Sequence, residues 1–257
     1  MIRFSKYIWL YAFISALVIV PGMYALIRYG LRPAVDFTGG TLIEVRSPSG
    51  GISQFRFKPA EDLPATFSGE IVRNETVGPI LGRELLGKAI TAALFAIAAI
   101  LLYVAYAFRN IKFGVSAVIA LIHDLLVVLG TFALFGVWLK VEVDTLFVTA
   151  FLTTMSFSVH DTIVVFDRIR EMSRRGERLP FDQLADKALT ETMGRSLTNS
   201  LTIIFMLLAL VLMGGETTKW FVMALLIGTI SGTYSSPFVA TPILILWDRW
   251  ERRKKVK

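Results

Sequence analysis

Cysteine is absent from this sequence, and histidine occurs only at His123 and His160. The first absence excludes disulfides, thiolate nucleophiles and cysteine metal sites; two histidines with no accompanying ligand cluster give no basis for a metal centre. Charge is also scarce, at 18% of residues against 54% hydrophobic, and the mean hydropathy is +0.62. What the chain has in quantity is uninterrupted apolar sequence. A soluble core is built from short periodic apolar stretches, whereas crossing about 30 Å of hydrocarbon takes about 20 apolar residues in succession. The formal charge of +7 does not indicate a nucleic-acid partner. Lys and Arg gather at the ends of apolar runs instead of covering one amphipathic surface.

Six runs have bilayer length: residues 7–27, 89–108, 113–134, 146–166, 197–213 and 220–247. The first follows Arg3 and Lys6 and imitates a signal peptide, with Met23-Tyr24-Ala25 as a poor cleavage site. Its apolar length favours an uncleaved span. An even number of spans puts both termini on one side, and Arg252-Arg253-Lys254-Lys255 marks that side as cytoplasmic. The connections assigned to that side carry Arg109, Lys112, Arg168, Arg170, Arg174, Arg175, Arg178 and Lys187, while the short outer loops hold only Lys140 and Lys219. The expectation is an α-helical membrane protein with six transmembrane helices. A small extracytoplasmic, β-containing head lies between the first two. The divisions are 1–27, the head at 28–88, the membrane region at 89–247 with a cytoplasmic amphipathic segment at 167–196, and a basic tail at 248–257.

In the head, Asp36-Phe37-Thr38-Gly39-Gly40 is a turn signal before Thr41 to Arg46, where Ile43 and Val45 alternate with Glu44 and Arg46. Ser47-Pro48-Ser49-Gly50-Gly51 breaks the chain, and Phe55 and Phe57 alternate with polar residues in a second strand. No amphipathic helix is evident between Gly40 and Pro79. Val77-Gly78-Pro79 reads as a helix start whose first turns lead into the second span. On the cytoplasmic side, Phe181, Leu184, Ala185, Ala188, Leu189 and Met193 form one helical stripe, expected as an amphipathic helix on the membrane surface, with a simple linker as the alternative.

Polar residues inside the runs are costly and point to function. Asp161 carries an insertion cost of about 2.5–3.5 kcal/mol, so it should face a partner or a watery path. Helical spacing puts Thr154, Ser158, Asp161 and Arg168 on one side of the fourth span, and Arg195, Thr198, Asn199 and Thr202 on one side of the fifth. Two such stripes facing each other make a polar path. The plainer alternative leaves Asp161 and Arg195 at wet helix ends, with the arginine snorkelling. His123-Asp124, deeper in the third span, either joins this network or fixes helix packing. Gly228, Gly232 and Ser236 recur at every fourth position before Pro237 and Pro242, as a packing stripe with or without a hinge. Gly39-Gly40 precedes a strand and lacks a P-loop lysine, so no nucleotide site is read there.

Three stretches together resemble the SecF family of bacterial Sec translocase subunits: Val35-Asp36-Phe37-Thr38-Gly39-Gly40-Thr41, Asp161-Thr162-Ile163-Val164-Val165-Phe166-Asp167-Arg168-Ile169-Arg170-Glu171, and Arg195-Ser196-Leu197-Thr198-Asn199-Ser200. Glu75-Thr76-Val77-Gly78-Pro79 and His123-Asp124 fit as well. The resemblance implies a resistance-nodulation-division fold whose six helices pair pseudosymmetrically with six from SecD. It also implies work beside the SecYEG channel on translocating unfolded polypeptides, powered by the proton gradient without any other cofactor or enzymatic activity. Asp161 is then the expected proton carrier, tuned by Arg195 and a SecD carboxylate, with His160, His123 and Asp124 as further relay candidates. The sequence departs from the family in its short head and in His160, where relatives commonly have asparagine and where an imidazole titrates near neutral pH. A half-transporter of the same superfold exporting lipids or small hydrophobic molecules is the alternative, and a passive scaffold holding SecD near the channel is a third reading.

Overall fold

The computed structural model describes residues 3–46, 52–57, 69–108, 110–176 and 179–256. The turn expected at residues 47–51, and the charges of Arg109, Arg178 and Lys257, lie outside the described residues. After a short 3-10 turn at Phe4–Lys6, helix α1 spans Ile8–Tyr29. The head holds a one-turn helix α2, Val35–Thr38, and strands β1 Gly40–Arg46, β2 Ile52–Phe57 and β3 Glu70–Val77. Then come α3 Pro79–Phe108, α4 Ile111–Trp138, α5 Thr145–Arg174, α6 Phe181–Met213 and α7 Glu216–Ser235. A π-helical turn, Ser236–Ala240, joins α7 to α8, Thr241–Val256. Among the described residues six helices are long and apolar enough to span a bilayer, α7 and α8 together making the last one.

Small residues let these helices meet without a hydrophobic driving force. At the α1–α4 crossing a Cβ on Gly22 would stand 2.9 Å from the Gly130 Cα, so the two backbones touch. On α7, a Cβ on Gly228 would stand 2.2 Å from Thr154 Cγ2, and one on Gly232 3.1 Å from the Ser158 Cα. The glycine stripe thus packs α7 against α5. The π turn follows at once, where Pro237 supplies no N–H and the Thr241 hydroxyl donates to the Ser236 carbonyl at 3.0 Å.

The three strands form an antiparallel sheet of order β2-β1-β3. Gly39 and Gly40 enter β1 at φ 73° and 119°, a region that residues with a Cβ rarely adopt. Glu44, expected on a polar outer face of β1, is buried. Its face looks onto the α4–α5 turn across a cavity of about 410 Å³, so central β1 has both faces covered. β3 has no counterpart in the two-strand reading.

At the opposite end the apolar stripe from Phe181 to Met193 faces protein. It forms the first turns of α6, which runs unbroken into the fifth span because Gly194 alone does not stop a helix. Leu184, Ala185, Ala188 and Leu189 are buried against Phe4, Phe166, Ile169 and Met172, so protein takes the place expected for lipid. Asp186 accepts from the Ser5 N–H (2.9 Å) and hydroxyl (2.7 Å), tying the N-terminal turn to α6.

Candidate functional site

Asp161 is buried in the middle of α5. Ser200 of α6 donates a long hydrogen bond to its Oδ2 (3.4 Å), and Ser196, one turn earlier, supplies a second hydroxyl. Beside them a cleft of about 20 Å³ is lined by His160, Asn199, Thr229 and Thr233 as well as Asp161. That is room for about one water molecule among polar partners. A carboxyl group there has the surroundings needed to take a proton, hold it and pass it on: acceptor oxygens when ionised, a donor when neutral, and hydroxyls that serve either form.

The polar stripe read on the fifth span turns another way. Arg195, Thr198 and Thr202 are exposed on the outer side of the chain, and Ser196 and Ser200, about 100° round the helix from Arg195 and Asn199, meet the carboxylate instead. Arg195 lines a separate cleft of about 540 Å³ with Asp167, Arg168 and Glu191, and makes no hydrogen bond or ion pair with another described residue. Arg168 bridges α5 to α6 by donating from Nε to Glu191 (2.9 Å), and it also pairs with Glu171 (2.6 Å). Asp167 is exposed and accepts from Arg170 (2.9 Å). On α5, Thr154 turns its hydroxyl back to the Phe151 carbonyl (2.8 Å) and does not reach Asp161.

Ser158 instead serves Asp124, the more deeply buried of the two membrane carboxylates at 4% exposure against 8%. Ser158 (2.5 Å) and Ser235 (2.6 Å) donate to its Oδ2; Ser231 (2.6 Å) and His123 Nδ1 (3.0 Å) meet Oδ1. The two carboxylates share walls. Helix α5 gives Ser158 to one and Asp161 itself to the other, and α7 turns Ser231 and Ser235 toward Asp124 but Thr229 and Thr233 toward the Asp161 cleft.

The head is fastened to the same helix. Asp36, at the turn before the paired glycines, accepts from the Thr145 N–H (3.1 Å) and hydroxyl (2.8 Å) at the start of α5, and Asp144 caps the same turn through the Phe147 N–H (2.7 Å). Arg56 of β2 donates to Glu142 (2.7 Å) and to the Thr38 hydroxyl (2.6 Å). A Cβ on Gly82 would lie 2.9 Å from the Gly39 N, so α3 starts directly over the paired-glycine turn, with Phe37 buried beside it.

Residues 61–250 match the family model for the C-terminal part of the protein export membrane protein SecD/SecF, and residues 24–47 match the SecD/SecF GG motif. The chain belongs to the SecD/SecF family. The protein translocase subunit SecF of Thermobaculum terrenum is 39% identical over 93% of this chain and 92% of its own length. That alignment runs over 293 positions against the 257 residues here, so the relative carries residues that this chain lacks. The protein translocase subunit SecDF of Thermus thermophilus is 35% identical over 88% of this chain and 35% of its own. The crystal structure of SecDF from that organism, a translocon-associated membrane protein, superposes with a TM-score of 0.87 at 27% identity, covering 96% of this chain and 39% of that one. Within this SecD/SecF framework the GG motif is the piece that docks the head on α5. Ser158 was read on the stripe of Asp161 and instead serves Asp124, while Ser231 and Ser235 at Asp124 and Ser196 beside Asp161 were given no role in the sequence; the signal for them is a hydroxyl at i and i+4, which Ser231/Ser235 and Ser196/Ser200 both show.

Proposed function

We propose that this chain is a SecF-type accessory subunit of the bacterial protein translocase. It works with SecD beside the SecYEG channel to promote export of unfolded polypeptides, powered by the proton gradient and without another cofactor. The observation that carries this reading is the position of Asp161: a buried carboxylate, in a cleft for one water, on the helix whose first turn is bonded to the head through Asp36. Thr145 and Asp161 are about 24 Å apart along that helix, so one rigid element spans from proton site to head. The basic tail sets the termini in the cytoplasm and the head outside. Exposed apolar side chains of α1, such as Trp9, Phe13 and Leu17, face membrane lipid.

In this reading the proton carrier is Asp161, and Arg195 is its switch. A guanidinium brought against a carboxylate favours the ionised form, and burial without such a partner favours the neutral acid. In the proposed cycle the approach of Arg195 releases the proton and its withdrawal lets the acid take one up. SecD supplies a counter-surface and a further carboxylate against the outward stripe of Arg195, Thr198 and Thr202. One charge crossing the full membrane field is worth about 2.3 kcal/mol per 100 mV, enough to shift a two-state equilibrium more than tenfold. Both relatives are named as protein translocase subunits, which gives no support to a lipid half-transporter. The reading is tested with export vesicles carrying Asp161→Asn or Arg195→Lys. Both should keep SecD bound yet lose gradient-dependent stimulation, the second because lysine lacks the planar fork. Intact stimulation with both variants would leave a passive scaffold.

A further inference from the structure

Beyond the Asp161 cleft, hydrogen-bond directions can be followed atom by atom through the seam of α1, α4 and α7. His123 Nε2 lies 3.1 Å from Ser15 Oγ, Ser15 Oγ lies 3.3 Å from the Tyr234 hydroxyl, and Tyr234 donates to the Tyr11 carbonyl at 2.9 Å. On the other side of the ring, His123 Nδ1 meets Asp124 Oδ1. A carbonyl only accepts, so the single Tyr234 proton is committed to Tyr11. The Ser15–Tyr234 contact then requires the serine's proton. With that proton engaged, Ser15 meets His123 as an acceptor, and Nε2 must carry hydrogen. Between Nδ1 and Oδ1 there is one more proton, whichever atom holds it. The network therefore assigns two protons and zero net charge to the His123–Asp124 pair. The form with one proton fewer is a net anion. It turns the Ser15 proton onto Nε2 and leaves Ser15 and Tyr234 with none between them.

The titratable neighbours are Tyr11 from α1 and Tyr234 from α7, with Asp161 on the flank of α5 that faces α6. Elements α5 and α7 otherwise present only the hydroxyls of Ser158, Ser231 and Ser235. Among the described residues no Lys or Arg bonds to His123 or Asp124.

We propose that His123 and Asp124 form a second proton-binding site, distinct from Asp161 and occupied in this conformation, whose proton holds one of two α1–α7 hydrogen bonds, the Ser15–Tyr234 contact, while the Tyr234–Tyr11 bond stays in place. On release the Nε2 proton leaves to water, the pair passes from zero to one negative charge, and Ser15 swings its proton from the tyrosine oxygen to the vacated nitrogen. The 3.3 Å step is the longest in the chain and is the one that opens. It opens beside the π turn, whose Phe238 packs on Tyr11 (4.7 Å between ring centroids) and Tyr234 (5.1 Å). Such turns inside helices often mark places that move or bind. This contact is set by hydrogen-bond geometry and does not depend on the role of Asp161.

Having only two histidines makes the site directly readable. In a His160→Asn background, purified through a histidine-free tag, His123 is the sole imidazole. Isotope-labelled histidine in the full chain, reconstituted in lipid nanodiscs at neutral pH, reports each ring nitrogen separately by NMR. The expected spectrum has Nε2 protonated. Tyr234→Phe frees the Ser15 proton and should shift Nε2 to the unprotonated class, with Nδ1 keeping hydrogen. A purely structural histidine would show no such exchange of roles. An unprotonated Nε2 in the parent protein overturns the proposal, and so does a protonated Nε2 that persists in Tyr234→Phe. Neither readout involves export, so failure here leaves the role of Asp161 standing.

Discussion

Gly228 sits where α7 presses hardest on α5, and the consequences of adding one methyl group are specific. The new Cβ would stand 2.2 Å from Thr154 Cγ2, and Thr154 is held by its hydroxyl bond to Phe151 and by its stiff β-branched side chain. Gly228→Ala should therefore lower stability by about 1–3 kcal/mol, the usual cost of overpacking, seen as a drop in thermal midpoint. Gly87→Ala, with no neighbour within 4 Å of its added Cβ, should be neutral or slightly stabilising in the same assay. Single residues were unevenly legible in the sequence. Asp161 and Asp124 stand out because a carboxylate in an apolar run is expensive. Their partners do not, because spacing along one helix cannot say which face meets which neighbour. A 100° rotation of α6 separates a stripe led by Arg195 from the pair of serines that meets Asp161. Ser231 and Ser235 are interleaved with a glycine stripe that reads as packing alone.

Helix α5 is the element on which the proposed mechanism turns, since it holds the head at its first residue and a buried acid at its centre. Removing the head's hold should loosen one end only. Asp36→Ala deletes two hydrogen bonds to Thr145, a loss of about 1 kcal/mol, so amide exchange in the first turn of α5 should accelerate about fivefold with exchange around Asp161 unchanged. Uniform acceleration along α5 would show that Asp36 supports the whole bundle instead. Strand β1 was legible from the paired glycines and its alternation. Strand β3 was not, because Ile71 and Val72 are adjacent and charged residues surround them, so its strand character comes from pairing with β1. The continuity of α6 was hidden for a related reason: its first turns are amphipathic and its later turns uniformly apolar, and only the tertiary contacts of Leu184 and Leu189 show that both parts are one buried helix.

For the whole molecule, six spans follow from length and hydropathy, which is why they are legible without knowing any contact, whereas the order in which the helices pack is not. The proposed orientation rests on the placement of Lys and Arg. Because the chain has no cysteine, Ser173→Cys and Thr217→Cys, both at exposed positions on opposite ends of the bundle, can be probed with a membrane-impermeant thiol reagent in intact cells. Thr217→Cys should label and Ser173→Cys should not; the reverse pattern would invert the topology. The outward polar faces, Thr153, Ser156 and His160 on α5 and Arg195, Thr198 and Thr202 on α6, are the surfaces that lipid would cover poorly and a SecD partner would cover well. The most direct measurement of all is export of a preprotein into inverted membrane vesicles, with and without a proton gradient, for wild-type and Asp161→Asn protein at equal SecD content. Asp161→Asn should retain export in the absence of the gradient and lose the increment that the gradient adds. A full increment with Asp161→Asn would contradict Asp161 as the carrier of the driving proton.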